Sequence, residues 1–272
     1  MQFLKKRLAE SRKGDHGRVL IIGGSNKYTG APALAALAAL RTGVDIVTVA
    51  APEQAAWIIN TYSPDLITRK FEGEFFNWDN VKDVIDLTEN FDAVLIGPGL
   101  GTEPDTLAFA KEVIERIPNP KVIDADALKA IRINESEIHH AILTPHAKEF
   151  EIMTDETLPK EKEDKINMLK HFARNDNVIL LKGHTDIIIN KNKLKLNKTG
   201  NPGMTVGGTG DILAGLCAGF LAQTKDLFNS AYYAANLNGK IGDDLLKTKG
   251  YNFTASDFIP LIPEIMKKIN KL

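Results

Sequence analysis

The feature that most constrains the fold of this chain is a repeated pattern, in which a short apolar run ends in glycine or polar residues and a helical segment follows. Continuous apolar runs of this length are typical of strands that are buried on both faces of a parallel sheet. The first repeat predicts a strand at residues 18–24, an alanine-rich helix at 31–41 and a second strand at 44–50. Such a unit implies a parallel pair of strands joined by a right-handed crossover.

The same pattern recurs along the chain. Further strands are predicted at residues 92–96, 121–123, 141–143 and 178–181, and a hairpin at 185–190 and 193–197. Further helices are predicted at residues 104–117, 160–173, 211–223, 227–246 and 256–270. This alternation, without a linker rich in Pro, Gly or Ser, predicts one domain over residues 1–272, a three-layer α/β/α sandwich with a mostly parallel central sheet. Residues 62–81 are expected to be the least structured region, either a surface excursion or a subunit contact.

Composition narrows the classes of function. With 43% hydrophobic residues the chain can bury a large core, and its net charge of -1 gives no support for a nucleic-acid partner. Cys217 is the single cysteine, so we expect no intrachain disulfide and no thiolate metal cluster, and its apolar helix predicts a small buried side chain. No apolar run is long enough for a signal peptide or a membrane span, which predicts a cytoplasmic protein without a membrane partner.

The glycine and polar clusters all follow predicted strands. They lie at residues 23–25, 97–101, 124–126, 144–149, 182–184 and 207–211. Because ligands of open α/β sheets bind beyond the carboxyl ends of the strands, we expect these clusters to gather along one edge and form one cleft. The first cluster lacks the three-glycine dinucleotide fingerprint, which argues against a Rossmann cofactor site. Its glycines either turn the chain or, with Gly30 and Ala31, let a flat ligand approach the helix.

The stretch before the helix at 211–223 has the composition of an anion site. Gly207, Gly208 and Gly210 allow the backbone to bend closely around a ligand, and a helix start presents unpaired N–H groups. Asp211 stands at this junction, where a role as helix N-cap is one interpretation. The glycines before it favour a second one, in which an ionised Asp211 takes the proton from an attacking hydroxyl during phosphoryl transfer.

Two further pairs of polar residues follow strands. Asp124 and Asp126 are two residues apart, so an extended chain would point both carboxylates to one side, to hold Mg²⁺ or a ribose, or to cap a helix at 127–131. We assign Asp124 to the site and Asp126 to the cap. His146 and Glu149 are three residues apart, on one face of a helical turn, and together they favour a functional site.

Two clusters remain. The stretch at residues 97–101 holds more glycine than a turn requires, which predicts close packing against a ligand. Lys182 and Gly183 would place an ammonium and a bare backbone near phosphate, although a solvated lysine at the strand end is nearly as good an account. His184, at the same edge, has less support.

The segment Gly208-Thr209-Gly210-Asp211 resembles the glycine-rich anion hole of the ribokinase-like kinases. Clusters occur in order at residues 13–17, 28–33, 97–101, 124–126, 144–149, 182–183 and 200–211. This ordered set resembles one branch of that superfamily, the ADP- or ATP-dependent NAD(P)H-hydrate dehydratases. His146 stands where the sugar and vitamin kinases usually have Asn, which fits the dehydratase branch.

The resemblance implies a ribokinase-like fold and a repair reaction. NADH or NADPH that has been hydrated at C6 of the nicotinamide ring (NADHX or NADPHX) is phosphorylated by ADP or ATP, and loss of phosphate restores the cofactor. Asp211 is implied to be the base, with an anion hole at Gly208, Thr209 and Gly210. The implied contacts are Ala31, Gly99, Gly101, His146 and Asp211 for the hydrate, Lys182, Gly183, His184, Thr185 and Gly210 for the nucleotide, and Glu149 and Asp124 for Mg²⁺.

The resemblance also implies partners. We expect ADP as the phosphoryl donor and assembly as a homotetramer. The epimerase domain that is fused to many members has no room in 272 residues, so a separate epimerase protein is expected. Two alternatives stay open: a small-molecule kinase of the same fold, of the hydroxyethylthiazole or hydroxymethylpyrimidine type, and a nucleotide-binding regulator without turnover.

Overall fold

The structure is a computed structural model that describes residue 4 and residues 7–270. The strands in these ranges are β1 (Arg18–Ile22), β2 (Ile46–Pro52), β3 (Ile67–Phe71), β4 (Ala93–Ile96), β5 (Lys121–Ile123), β6 (Ala141–Leu143), β7 (Val178–Leu181), β8 (Asp186–Ile189) and β9 (Leu194–Asn197). They form one sheet in the order β3-β2-β1-β4-β5-β6-β7-β8-β9. Strands β1 to β7 pair in parallel, and β8 and β9 continue the sheet as an antiparallel hairpin.

Helices cover both faces of the sheet. They are α1 (Gly30–Arg41), α2 (Glu53–Tyr62), α3 (Val81–Thr88), α4 (Pro104–Arg116), α5 (Asp126–Lys129), α6 (Ala147–Thr154), α7 (Lys162–Phe172), α8 (Thr209–Thr224), α9 (Leu227–Lys249) and α10 (Phe258–Asn270). One hydrophobic core contains residues of α1, α2, α8, α9 and α10, and a second core contains residues of α3 to α7. The predicted three-layer α/β/α sandwich with a mostly parallel sheet is therefore confirmed.

The order of the strands reverses at β1, which pairs with β2 on one side and with β4 on the other. Such a switch point opens a crevice at the carboxyl ends of the two central strands, because their following loops leave in opposite directions. The polar clusters predicted from the sequence follow these strands and their neighbours. The topology therefore directs the search for a site to this edge.

Helices α1 and α8 pack closely against each other. A methyl group on Gly215 would lie 2.1 Å from the carbonyl oxygen of Ala35, and one on Gly219 would lie 2.3 Å from the hydroxyl of Thr42. Only a hydrogen fits at these two positions, so the helix axes approach closely. Cys217, between them, is buried as predicted.

The expectation that residues 62–81 are the least structured region was wrong. The segment contains β3, the edge strand, and a short 3₁₀ turn at Trp78–Asn80. Because β3 lies at the edge, most of its side chains are exposed or half-buried, and it lacks the apolar run that marks the central strands. None of the helices in the described ranges combines the length and the apolar character needed to cross a lipid bilayer.

Candidate active site

The loops that follow β1 and β4 are tied together at the switch point. The backbone N–H of Gly24 donates a hydrogen bond to the Pro98 carbonyl at 2.9 Å. The Ser25 hydroxyl donates to the Gly99 carbonyl, also at 2.9 Å. These contacts bring two of the predicted glycine clusters side by side at the carboxyl edge of the sheet.

The next strands contribute a group of charged side chains, Asp124, Glu149 and Lys182, which we call the charged centre. Lys182 Nζ lies 3.0 Å from Asp124 Oδ1 and 3.5 Å from Glu149 Oε2. The side chains of Asp124, Glu149 and Lys182 are only 2%, 9% and 20% exposed. Thr144 Oγ1 donates a further bond of 2.7 Å to Asp124 Oδ1. The sequence predicted these residues for the site but did not predict that they contact one another.

Lys182 is held as an ammonium in this centre. Burial by itself lowers the pKa of the amine, but the adjacent carboxylates of Asp124 and Glu149 outweigh it and raise the pKa above its usual value. The interpretation of Lys182 as a solvated lysine at the end of β7 is therefore wrong.

Asp211 lies beside this centre, in the first turn of α8. Burial and the nearby charge of Asp124 raise its pKa to about 7, and the ammonium of Lys182 only partly offsets them. Among the described residues no side chain or backbone donor bonds to its carboxylate. The helix begins at Thr209 with Gly208 as its N-cap residue, so Asp211 is not the N-cap. A half-buried carboxylate that titrates near neutral pH suits a general base.

The start of α8 also presents backbone N–H groups. Those of Thr209, Gly210 and Asp211 belong to the first turn, where a helix offers no carbonyl partner. The Thr209 hydroxyl turns away and donates to the Met204 carbonyl at 2.8 Å, so the backbone and not the side chain faces outward. A methyl group on Gly210 would lie 3.8 Å from Lys182 Nζ. The ammonium of Lys182 therefore lies beside the first turn of α8, where its charge and the unpaired N–H groups together suit an anion.

His146 and Glu149 form the start of α6. His146 is the N-cap residue: its Nδ1 accepts a bond from the Glu149 backbone N–H at 3.1 Å, and Glu149 Oε2 accepts one from the His146 N–H at 2.8 Å. This reciprocal pair is a capping box, so helix geometry alone explains the three-residue spacing. The imidazole remains 53% exposed and available to a ligand.

The prediction that Asp126 caps a helix was wrong. Ala125 has a positive φ of 51°, so the chain turns between the two aspartates, and their carboxylates bond to different partners. Asp126 lies inside α5, whose N-cap residue is Ala125. Its carboxylate accepts bonds from the Gly101 backbone N–H at 3.0 Å and from Lys129 Nζ at 2.7 Å. Asp126 thus holds the glycine loop that follows β4.

The glycines of that loop are explained by close contacts with other parts of the protein. Gly97 has a φ of 131°, and a methyl group on it would lie 1.7 Å from the Asp124 carbonyl oxygen. A methyl group on Gly99 would lie 2.9 Å from the Tyr28 side chain and 3.3 Å from Pro32, next to Ala31 in the first turn of α1. The predicted cause, close packing against a ligand, is therefore not needed. The loop does, however, bring Gly99 to the same place as Ala31.

Two polar residues that the sequence analysis missed, Asp186 and Asn238, bond to backbone groups of the candidate site. Asp186 Oδ1 accepts a bond from the Gly183 N–H, and its Oδ2 accepts one from Asn197 Nδ2, each at 3.0 Å. Burial raises the pKa of Asp186, and these two bonds oppose the rise. Asn238, on the buried face of α9, donates to the Thr209 carbonyl at 3.4 Å. Asp186 could have been found from the sequence, because it is a carboxylate at the start of an apolar strand and comes three residues after Gly183.

The remaining predicted nucleotide contacts lie in the turn between β7 and β8. Gly183 and His184 are exposed there, and Thr185 is half-buried. This turn continues directly from Lys182, so the segment from Lys182 to Thr185 borders the charged centre on one side and solvent on the other. The nucleotide roles of these residues stay predictions.

The described ranges contain no group of three or more His, Cys, Asp or Glu side chains that could hold a metal ion. The two predicted Mg²⁺ ligands, Asp124 and Glu149, do approach each other, but the ammonium of Lys182 lies between them. The ammonium bonds to both carboxylates and offsets one of their two negative charges. A ready-made protein site for Mg²⁺ does not fit this arrangement.

Comparison with known proteins places this geometry in context. Residues 19–264 match the family model described as NAD(P)H-hydrate dehydratase. A bifunctional NAD(P)H-hydrate repair enzyme of Pyrobaculum aerophilum is 44% identical over 96% of this chain. The chain spans about half the length of that relative, 53%. An ADP-dependent (S)-NAD(P)H-hydrate dehydratase of Cenarchaeum symbiosum is 34% identical, and the match covers 100% of this chain and 96% of the relative.

A solved structure agrees with these relatives. The ADP/ATP-dependent NAD(P)H-hydrate dehydratase from Bacillus subtilis, co-crystallised with ATP and Mg²⁺, superposes with a TM-score of 0.83 at 29% identity. The superposition covers 97% of this chain and 94% of the solved one. The resemblance predicted from the ordered clusters and the ribokinase-like fold are both confirmed.

Proposed function

Because this chain belongs to the NAD(P)H-hydrate dehydratase family, we propose that it catalyses the ADP-dependent dehydration of (S)-NADHX and (S)-NADPHX to NADH and NADPH. The observation that carries the proposal is the Asp211 carboxylate, with a pKa of about 7, beside unpaired N–H groups and the Lys182 ammonium. A base and an anion site in contact are what phosphoryl transfer to a hydroxyl requires.

In the first step Asp211 removes the proton from the C6 hydroxyl of the hydrate. The hydroxyl oxygen then forms a bond to the β-phosphorus of ADP, and the bond from that phosphorus to the bridging oxygen breaks, so that AMP leaves. The N–H groups of Thr209 and Gly210 stabilise the charge on the transferred phosphoryl group. The Lys182 ammonium, which faces Gly210, adds a positive charge there.

In the second step the phosphate ester is eliminated. The C6–O bond breaks with its electron pair on the leaving phosphate, the neighbouring ring carbon loses a proton, and the double bond of the nicotinamide ring is restored. The net change is hydrate plus ADP to reduced cofactor, AMP and phosphate. Phosphorylation thus converts a poor leaving group, hydroxide, into a good one.

The two ligands approach from different sides in this proposal. The hydrate contacts Ala31, Gly99 and Gly101 at the switch point and the exposed ring of His146. The nucleotide contacts the turn from Lys182 to Thr185 and the backbone of Gly210. The ADP dependence of the Cenarchaeum symbiosum relative supports ADP as donor, and the ADP/ATP dependence of the Bacillus subtilis dehydratase supports ATP as a second donor.

The proposal extends to cofactor, partners and location. Mg²⁺ accompanies the nucleotide phosphates, as the co-crystallisation of the Bacillus subtilis dehydratase with ATP and Mg²⁺ suggests. An epimerase activity converts the other epimer of the hydrate, and the dehydratase works in the cytoplasm as a homotetramer. The unit of function is one domain over residues 1–272.

The test uses the purified full chain with hydrated NADH, Mg²⁺ and either ADP or ATP. Recovery of absorbance at 340 nm, with conversion of ADP to AMP, is the expected result. Consumption of ADP or ATP with a stable phosphorylated alcohol, from thiazole or pyrimidine substrates instead, would replace the dehydratase by the kinase alternative. Binding of nucleotide without any turnover would favour the regulatory alternative.

A further inference from the structure

The gap between Asp124 and Glu149 is filled by a protein cation. Lys182 Nζ lies 3.0 Å from Asp124 Oδ1 and 3.5 Å from Glu149 Oε2. Each of these oxygens also has a second donor. Thr144 Oγ1 donates to Asp124 Oδ1, and the His146 backbone N–H donates to Glu149 Oε2. The oxygens that face the gap are therefore already paired with protein donors.

The position of Lys182 is fixed by its backbone. Its N–H donates to the Pro145 carbonyl at 2.8 Å, and the residue forms a parallel bridge with His146. The side chain thus enters the gap from the end of β7, beside the first turn of α6, which carries Glu149. Withdrawal of the ammonium would leave the carboxylates of Asp124 and Glu149 buried and without a cation, which is costly.

A metal ion at this position would compete with the ammonium. Mg²⁺ binds oxygen at about 2.1 Å in near-octahedral geometry and keeps several waters. An ion that bridged Asp124 Oδ1 and Glu149 Oε2 at such distances would overlap Lys182 Nζ. It would also place two positive charges beside a third, in surroundings where charges are poorly screened.

We propose that Lys182 is the resident cation of the charged centre. Its ammonium occupies the gap between Asp124 and Glu149 and, in the protein without nucleotide, excludes divalent cations from that gap. Mg²⁺ would then enter the site bound to the nucleotide phosphates, which meet the ammonium on its other side, at Gly210. Entry of Mg²⁺ with the nucleotide rests on the proposed function, whereas the exclusion of divalent cations does not.

The experiment measures binding of Mn²⁺, a paramagnetic substitute for Mg²⁺, by the decrease of the free-ion EPR signal. The wild-type chain without nucleotide is expected to bind no Mn²⁺ at this centre. Lys182→Met removes the cation and leaves both carboxylates, so the affinity for Mn²⁺ should rise at least about tenfold. Asp124→Asn in the Lys182→Met background should abolish that gain. Lys182→Arg keeps the charge and should still exclude Mn²⁺.

A matched control is Lys225→Met. Lys225 pairs with Asp92 at 2.9 Å, but this ion pair is exposed and remote from the charged centre. Its loss should leave Mn²⁺ binding unchanged. Circular dichroism shows whether each variant is folded. If Lys182→Met does not fold, Lys182→Gln, which also removes the cation but keeps a polar side chain beside the two carboxylates, replaces it in the titration and is expected to give the same gain.

Two results would overturn the inference: Mn²⁺ binding by wild type without nucleotide that is lost in Asp124→Asn, or a folded Lys182→Met variant with unchanged affinity. Addition of ADP to wild type is expected to bring Mn²⁺ into the complex. If ADP does not bring Mn²⁺ into the complex while the free protein still excludes Mn²⁺, this result contradicts the proposed function and leaves the role of Lys182 standing.

Discussion

Two glycine-rich loops meet at the carboxyl edge of the sheet, and they need glycine for different reasons. In the loop that follows β4, a methyl group on Gly97 would lie 1.7 Å from the Asp124 carbonyl oxygen, and the φ of Gly97 is 131°. In the stretch that leads into the first turn of α8, the fold requires Gly208, whose φ is 100°, but a methyl group on Gly207 would meet nothing within 4 Å, and one on Gly210 would meet only Lys182 Nζ, at 3.8 Å. The fold therefore requires glycine at Gly97 and leaves room for a side chain at Gly207 and Gly210.

The difference shows that glycine density alone does not identify a binding loop. Gly97 allows its own backbone and that of Asp124 to pass close to each other. Gly210 faces an ammonium and unpaired N–H groups, and nothing in the described part of the protein fills that space. Where the fold would accept a side chain and the sequence has none, a ligand is the better explanation.

The largest effect is expected from Gly97→Ala. The added methyl group would overlap the Asp124 backbone and the φ of 131° is strained for any other residue, so we expect a loss of at least about 4 kcal/mol of stability. Soluble yield and chemical denaturation measure this. Gly207→Ala is the matched control and should change stability by less than about 0.5 kcal/mol. Equal losses of stability in Gly97→Ala and Gly207→Ala would show that the two loops need glycine for the same reason.

The second largest effect is the loss of rate expected when Asp211, the proposed general base, is replaced. Asp211→Asn keeps the shape of the side chain but cannot take a proton, so the rate of NADH recovery should fall by about 10²- to 10⁴-fold. The variant should fold, and because its side chain carries no buried charge it should melt at a higher temperature than wild type at neutral pH. Turnover near that of wild type would show that Asp211 is not the base.

The third effect is the pH dependence of wild-type turnover. The pKa of Asp211 is raised to about 7, so below that pH most of the base is protonated and inactive. We expect kcat/KM to fall about tenfold per pH unit below 7 and to level off above it. The same shift means that ionisation of Asp211 destabilises the folded state. Its contribution to stability should therefore decline as pH rises from about 4 through 7. A flat rate profile from pH 5 to 8 would contradict the assignment.

The smallest changes are expected from Gly210→Ala, which separates the effect of this glycine on stability from its effect on the rate. Gly210→Ala places a methyl group near Lys182 Nζ without a backbone clash, and alanine is the better helix former, so stability should rise by about 0.5 to 1 kcal/mol. The rate should nevertheless fall about tenfold, because the methyl group occupies the space of the phosphoryl group. Denaturation and the NADH assay measure the two changes. A fall in stability would mean that Gly210 serves the fold, and an unchanged or faster rate would contradict its place beside the phosphoryl group.

Much of the architecture could be predicted from the sequence. The central strands are short apolar runs, and β5 and β6 have the predicted bounds. Helices α1 and α10 begin within two residues of their predicted starts. Edge strand β3 was missed because its pairing partner, not its own apolar content, makes it a strand. The edge at which the polar clusters meet followed from the parallel topology, since every such cluster comes after a strand.

The sequence thus determined the layers, the sheet and the family, because apolar periodicity and ordered motifs are properties of neighbouring residues. Which side chain meets which was decided by the tertiary structure. Lys182 bonds to Asp124 across 58 residues of chain, and Asp126 bonds to Gly101 across 25. Such pairs form only when strands lie side by side. Their burial then sets the charge that each group carries, which is why the protonation of Asp211 and the cation at the centre are properties of the folded molecule.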